Sequence, residues 1–201
     1  MIILKILTNT IHYSLFTGDT MINRKLGKRT DQRMALLRGQ VTQLLWHGRI
    51  ETTHARAKEV QSLAEQLITL AVNSYTDTVK KVETRIKHDK KRDKKGNLTV
   101  TEREVKVELI NDGPTKLNAR RKIMANVYDV QEIRAKGETK AQFRIRTEHI
   151  AHPLIEKIFN EYAPKYAQRA EDTGTKGGYT RVLKMGPRRG DAAELALIEL
   201  V

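Results

Sequence analysis

Apolar side chains recur at Met34, Leu37, Val41, Leu44 and Leu45, the spacing of one face of an α-helix. Thr30 is placed to cap this helix, Asp31 suits its first turn, and Gly48 after Trp46-His47 marks its stop. Arg33 and Arg38 fall off the apolar stripe. A second stripe, Ala57, Val60, Leu63, Ala64, Leu67, Ile68 and Ala71, predicts a helix from Thr53 or His54 onward. Thr53 is its expected cap, and Arg56 and Lys58 face away from the stripe. Between the two helices, Arg49-Ile50-Glu51-Thr52-Thr53 has extended propensity and reads as a sheet-edge strand.

The period then changes. From about Tyr75 to Asn111 the chain is rich in β-formers, over Val79–Ile86, Leu98–Val100 and Val105–Leu109. The charged run His88–Lys95 and the pair Gly96-Asn97 supply a turn, so this stretch reads as a protruding β-hairpin. It has too few apolar residues for a core of its own and must lean on the main domain or on a partner. Gly113-Pro114 opens another helix, with Leu117, Ile123, Met124, Val127 and Val130 on its expected inner face and Lys116, Arg120, Arg121 and Lys122 on its flank. Ala135–Gln142 is polar and reads as a loop. Pro153 suits the first turn of a further helix carrying Leu154, Ile155, Ile158 and Phe159, and Glu171–Gly178 reads as a flexible connector. Tyr179–Met185 and Leu195–Leu200 are paired strands joined by the turn Pro187–Glu194. The expected fold is α+β: several helices packed on a small mixed sheet, with an inserted β-hairpin and a basic N-terminal arm.

Charge turns this outline toward function. The chain of 201 residues carries 38 Lys and Arg against 24 Asp and Glu, a net +14. Attraction to a polyanion therefore dominates at long range, and nucleic acid is the commonest such partner. Aromatic residues make up only 5% of the chain, which argues for phosphate contact and shape recognition over stacking on unpaired bases. With no cysteine, disulfides, cysteine zinc sites and thiol nucleophiles are excluded, and a reducing cytoplasm is expected. Met1–Leu7 is too short for a membrane span.

Catalytic and cofactor chemistry finds no foothold. Gly27-Lys28-Arg29-Thr30 lacks the upstream glycine and the preceding strand of a phosphate-binding loop, and Gly177-Gly178 opens a strand instead of following one. His149 and His152 lack a third metal ligand. His47 and His54 flank the first strand as structural or RNA-proximal groups, and Ser14, Ser62 and Ser74 sit in no nucleophile-elbow context. No cofactor, metal or small-molecule substrate is expected. A DNA-associated architectural protein would need a recognition helix or a two-fold dimer. A membrane-surface protein would need a basic amphipathic helix with a large exposed apolar face, and an enzyme acting on RNA would need convergent acid, base or metal ligands.

The basic residues do converge by element. Arg24, Lys25, Lys28 and Arg29 form an arm without an apolar face; Arg33, Arg38, Arg120 and Arg121 lie on helix flanks; and Arg181, Lys184, Arg188 and Arg189 occupy the last hairpin. Guanidinium forks grip phosphate oxygens bidentately, and glycine lets backbone approach closely. In the strand itself Thr180, Val182 and Lys184 share one face and Arg181 and Leu183 the other, so only some of these charges reach a common surface.

At these residues the chain resembles the bacterial large-subunit ribosomal protein seventeen family. The resemblance runs through Arg24-Lys25-Leu26-Gly27-Lys28, Arg33–Arg38, Ile50–Thr53 with Ala55–Glu59, Leu67–Ala71, Leu117–Arg121, Ile158–Glu161 with Ala163–Tyr166, Gly177–Asp191 and Ile198–Val201. It spans nearly all of residues 21–201. Residues 1–20 lie outside the family pattern, and Met21 is expected to be the natural start. Tyr75 to Asp112 looks like an insertion relative to shorter members. The resemblance implies a structural, non-catalytic protein packed on large-subunit rRNA near the exit of the nascent-chain tunnel, touching neighbouring ribosomal proteins.

Overall fold

A computed structural model of the protein describes residues 24–92, 98–148 and 150–201. The readings of residues 1–20, of Met21 as the start, of the turn at Gly96-Asn97 and of His149 lie outside the described residues.

Two helices form the centre. Helix α1 (Thr30–His47) and helix α2 (His54–Val72) are linked through strand β1 (Arg49–Thr53). Leu37, Val41, Leu44 and Leu45 of α1 are buried against Ala57, Val60, Ala64, Leu67, Ile68 and Ala71 of α2, close to the two predicted stripes; Met34 and Leu63 pack at the margin. Gly48 ends α1 in the left-handed region (φ 81°), and its N–H donates to Leu44 O, a conformation glycine adopts without a Cβ penalty. The carbonyls of Leu45 and Trp46, orphaned at the helix end, accept from Tyr162 Oη and Lys157 Nζ, both at 2.8 Å. Thr30 does not cap α1: Arg29 holds the cap position in extended conformation, and no side chain makes the capping bond. Thr53 sits at the cap of α2, also without a side-chain bond.

A ribbon of two long antiparallel strands follows, β2 (Thr78–Arg92) and β3 (Leu98–Asp112). At about 3.4 Å per residue each strand spans roughly 50 Å. The two pack on each other and contact little else of the described molecule.

Helix α3 (Pro114–Asn126) starts with proline in its first turn. Its buried face is Ala119 and Ile123, with Val127 just beyond, whereas Leu117 and Met124 are 39% and 38% exposed. That corrects the expected inner face. Ala119 and Ile123, one helical turn apart, set the face turned to the core, and Leu117 and Met124 are carried outward with the flanks. Ala135–Gln142 is not wholly loop either. Thr139 and Gln142 form a reciprocal capping box that starts the short helix α4 (Lys140–Thr147).

Helix α5 (Pro153–Lys157), a π-turn over Ile158–Tyr162, and helix α6 (Ala163–Thr173) run on as one rod. Leu154, Ile155, Ile158, Phe159, Ala163 and Tyr166 face the core. The first residues of the expected connector at Glu171 thus complete α6, which ends at Gly174 (φ 68°).

Strands β4 (Thr180–Pro187) and β5 (Glu194–Leu200) form the last hairpin. The three-stranded sheet has the order β1-β5-β4, with β1 at an edge as expected. Both pairings are antiparallel, so the sheet is not mixed. A tight hairpin fixes β4 against β5, and β1 takes the free edge of β5 running opposite to it. Ile198 and Ala196 are fully buried beneath the helices. The fold is α+β.

Candidate nucleic-acid interface

The twelve basic residues singled out in the sequence fall into two groups once their partners are visible. One group is already engaged. Arg24 Nη1 donates to Ala55 O at 3.4 Å, and its Nε lies 3.8 Å from Glu59 Oε1. Glu59 is buried on α2, and a buried carboxylate requires a nearby positive partner. Arg24 therefore anchors the arm to the domain. Arg29 lies 3.6 Å from Asp31, both widely exposed, a contact of little energetic weight. Arg38 is half-buried with its guanidinium 5.6 Å from the Tyr128 ring centre; Arg33, half-buried on the same helix, is withdrawn from solvent without being paired, its Nε buried with no hydrogen-bond partner among the described residues.

Arg120 is the most strongly committed. Its Nη2 donates to Glu156 Oε1 at 2.5 Å, and the guanidinium lies over Phe159. Its Nε approaches Asp112 Oδ2 to 2.7 Å without the alignment of a hydrogen bond, so that contact is one of charge. Lys116 Nζ adds a second cation 2.8 Å from Asp112. Arg120 thus joins the foot of the ribbon to α3 and α5. It faces carboxylates, not solvent.

A second joint lies beside it. Asp77, just before β2, accepts from the backbone N–H of Thr115 at 2.8 Å and of Lys116 at 3.4 Å, capping α3 from outside. The hydrogen bonds from Thr115 hold its carboxyl below the usual range. Gly113 makes this possible, because a Cβ there would stand 2.1 Å from Asp77 Oδ1. The sequence reading passed over Asp77 and Asp112, and its spacing argument gave Glu156 only the role of an ordinary helix-surface charge; the readable signal was the spacing of Asp112 and Lys116, one helical turn apart.

The second group is exposed and carries no ion pair among the described residues: Lys25 and Lys28 on the arm, Arg121 on α3, and Lys184 and Arg189 on the last hairpin. Past Val182, β4 leaves the core, and a register shift between Lys184 and Gly186 bends it outward. Leu183 and Lys184 are consequently both exposed, although they alternate across the strand. Arg181 is 4.0 Å from Glu199, which also stands opposite Arg49 in the neighbouring pair. At the turn Arg188 forms a two-pronged pair with Asp191, Nε–Oδ1 at 2.8 Å and Nη2–Oδ2 at 2.5 Å. That pairing holds the Asp191 carboxyl well below its usual range and raises Arg188. The clamp closes the turn and leaves Arg189 at its tip.

At the root of this hairpin Arg169 reaches from α6 to the carbonyl of Gly177 at 2.5 Å and packs on the rings of Tyr166 and Tyr179. Gly177 (φ 94°) and Gly178 (φ 60°) form the pivot it pins, a backbone path that disfavours side chains. Arg169 was not singled out from the sequence.

The ribbon contributes a basic row that the sequence reading also passed over. Lys81, Arg85 and Lys87 share a face with Arg103 and with the carboxylate of Glu83. Lys81 and Arg85 lie 3.0 and 3.6 Å from Glu83. Cations at three of the four alternate positions from Lys81 to Lys87 were the readable signal.

The described residues hold no cluster of histidines and carboxylates able to bind a metal ion; His152 is 3.3 Å from Asp129 and His54 is 3.9 Å from Glu194. None of their helices is long and apolar enough to cross a membrane.

Comparison with known proteins shows the family. The chain is 40% identical over 190 residues to the large ribosomal subunit protein bL17 of Acetivibrio thermocellus, covering 89% of this chain and 98% of that protein. It is 43% identical to the proteins of the same name from Lachnospira eligens and Ruminiclostridium cellulolyticum, with the same coverage. The family described as ribosomal protein L17 matches residues 36–201. The chain belongs to the ribosomal protein L17 family.

Proposed function

We propose that the protein is a structural, non-catalytic constituent of the bacterial large ribosomal subunit, resident in the cytoplasm, and that it binds large-subunit rRNA near the nascent-chain tunnel exit beside other ribosomal proteins. The observation that carries the rRNA-binding reading is the sorting of its cations. In a chain of net charge +14, the folded domain neutralises Arg120 and Arg188 internally yet leaves Lys25, Lys28, Arg121, Lys184 and Arg189 exposed without carboxylate partners among the described residues. Cations displayed in this way repel one another until phosphates approach, and each phosphate contact releases counterions.

In this reading the arm, the α3 flank and the last hairpin neutralise phosphates where rRNA segments meet. Arg24, Arg33 and Arg38 set the arm and α1, while Arg120, Arg181 and Arg188 hold the elements that carry the exposed charges. Arg29, at the start of α1, adds a further exposed guanidinium. Two measurements test it. In sucrose gradients the protein is expected to sediment with large subunits, and in vitro its affinity for large-subunit rRNA is expected to fall steeply with salt. Sedimentation apart from ribosomes, or an affinity indifferent to salt, would overturn it.

A further inference from the structure

We infer that one face of the β2–β3 ribbon docks a lysine- and arginine-rich segment of a neighbouring protein. The proposal takes from the proposed function only that the chain sits among large-subunit proteins; the face itself is read from the ribbon.

Over its described side chains the ribbon has two unlike faces. Strand alternation and register place Lys80, Val82, Thr84, Ile86 and His88 together with Glu102, Glu104, Lys106, Glu108 and Ile110. Val82 stands opposite Glu108, and Ile86 opposite Glu104. Val82, Ile86 and Ile110 are 59%, 57% and 71% exposed. On the other face the apolar row Val105, Val107 and Leu109 is half-buried beneath Arg85, Glu83 and Lys81, which pair with one another. That face covers its apolar row, apart from Val79 at the foot of the ribbon, which is 50% exposed. The first does not.

Charge identifies the occupant. Cations outnumber carboxylates 38 to 24 in this chain, so an acidic side chain readily finds an internal partner. Glu104 and Glu108 nevertheless have none among the described residues, and they flank the exposed aliphatic side chains. With Lys80 and Lys106 balancing these two glutamates, the face lacks the net positive charge that draws phosphate, and it offers no ring for base stacking. It suits a segment whose ammonium or guanidinium groups meet the glutamates while aliphatic stems cover Val82, Ile86 and Ile110. A two-stranded ribbon alone in water is marginally stable, and this one has little of its own domain to lean on. A docked segment would supply the missing cover.

The test places a photoreactive group on that face in the full-length protein, as Ile86→p-benzoyl-L-phenylalanine, with irradiation in living cells. The expected product is a cross-link to a basic peptide of another protein. The same group at Lys87, on the opposite face, should not reach that peptide. Adding Glu104→Lys and Glu108→Lys should lower the Ile86 yield about tenfold or more, since like charges would then meet. Cross-links from Ile86 to RNA, to another part of this chain or to a second copy of it overturn the proposal, as does an absent product or a yield indifferent to charge reversal. Whether the product sediments with the large subunit is read separately and bears on the proposed function alone. If the charge-reversed ribbon misfolds, lysine-specific cross-linking of the unaltered protein through Lys80 and Lys106 decides the matter: a basic peptide of another protein supports the docking, and its absence overturns it.

Discussion

Arg120 and Arg121 are neighbours in sequence with opposite expected roles, and replacing each by methionine separates them. Methionine keeps an unbranched stem to pack on Phe159 and removes the charge. In Arg120→Met, Glu156 would retain only Asn160 Nδ2 at 3.2 Å, and Asp112 would retain Lys116 Nζ at 2.8 Å. The side chains of Arg120, Asp112 and Glu156 are 19%, 24% and 31% exposed, so water compensates only in part. A hydrogen bond to a charged group contributes roughly 1.5–3 kcal/mol. With a discount for the remaining exposure, the loss comes to about 2 kcal/mol. For a chain of this length each kcal/mol lowers Tm by roughly 2–4 °C, giving a fall of about 4–8 °C in a thermal melt. The salt dependence of rRNA binding should be unchanged below that melt. Arg121→Met should do the reverse: stability within about 0.5 kcal/mol of the parent, and a salt slope shallower by about 0.7–0.9, the value of one phosphate contact. The reasoning fails if Arg120→Met melts like the parent and flattens the salt slope as much as Arg121→Met does.

Three further outcomes follow from the same geometry. Gly113→Ala should evict the Asp77 carboxylate and cost about 1 kcal/mol of cap in urea denaturation, whereas in an Asp77→Ala background the same change should be neutral or stabilising by up to about 1 kcal/mol; equal effects in both backgrounds would show that the two residues are not coupled. Arg189→Ala should flatten the salt slope of rRNA binding without moving Tm, while Arg188→Ala should loosen the turn first, seen as altered amide shifts for residues 188–193; identical effects of the two would refute the division of labour. Because Asp191 is held below its ordinary 3.8, its pair with Arg188 stabilises the fold above that value and is lost only as pH falls through the lower folded pKa, so the NMR titration of the Asp191 carboxyl should have a midpoint under 3.8; a midpoint at or above it contradicts the clamp.

Periodicity and punctuation alone determined most of the secondary structure. The stripes of α1 and α2, the stop at Gly48, the entry of α3 at Pro114, the long ribbon and the last hairpin are local patterns, legible because each residue's burial follows from its own spacing. Net charge and the interleaved cations likewise pointed to a polyanion. Elsewhere the neighbours decided. Which face of α3 turns to the core, with Ala119 buried and Leu117 exposed, depends on what packs against it. The capping box at Thr139 and Gln142 was present in the sequence as a spacing, but it lay in a polar stretch without an apolar stripe. Which arginines are free was decided by tertiary structure alone: Arg120 finds Glu156 36 residues away, while Arg121 beside it finds no carboxylate among the described residues. A charge is recorded in the sequence, but its availability depends on the distance to its counter-charge, and folding sets that distance.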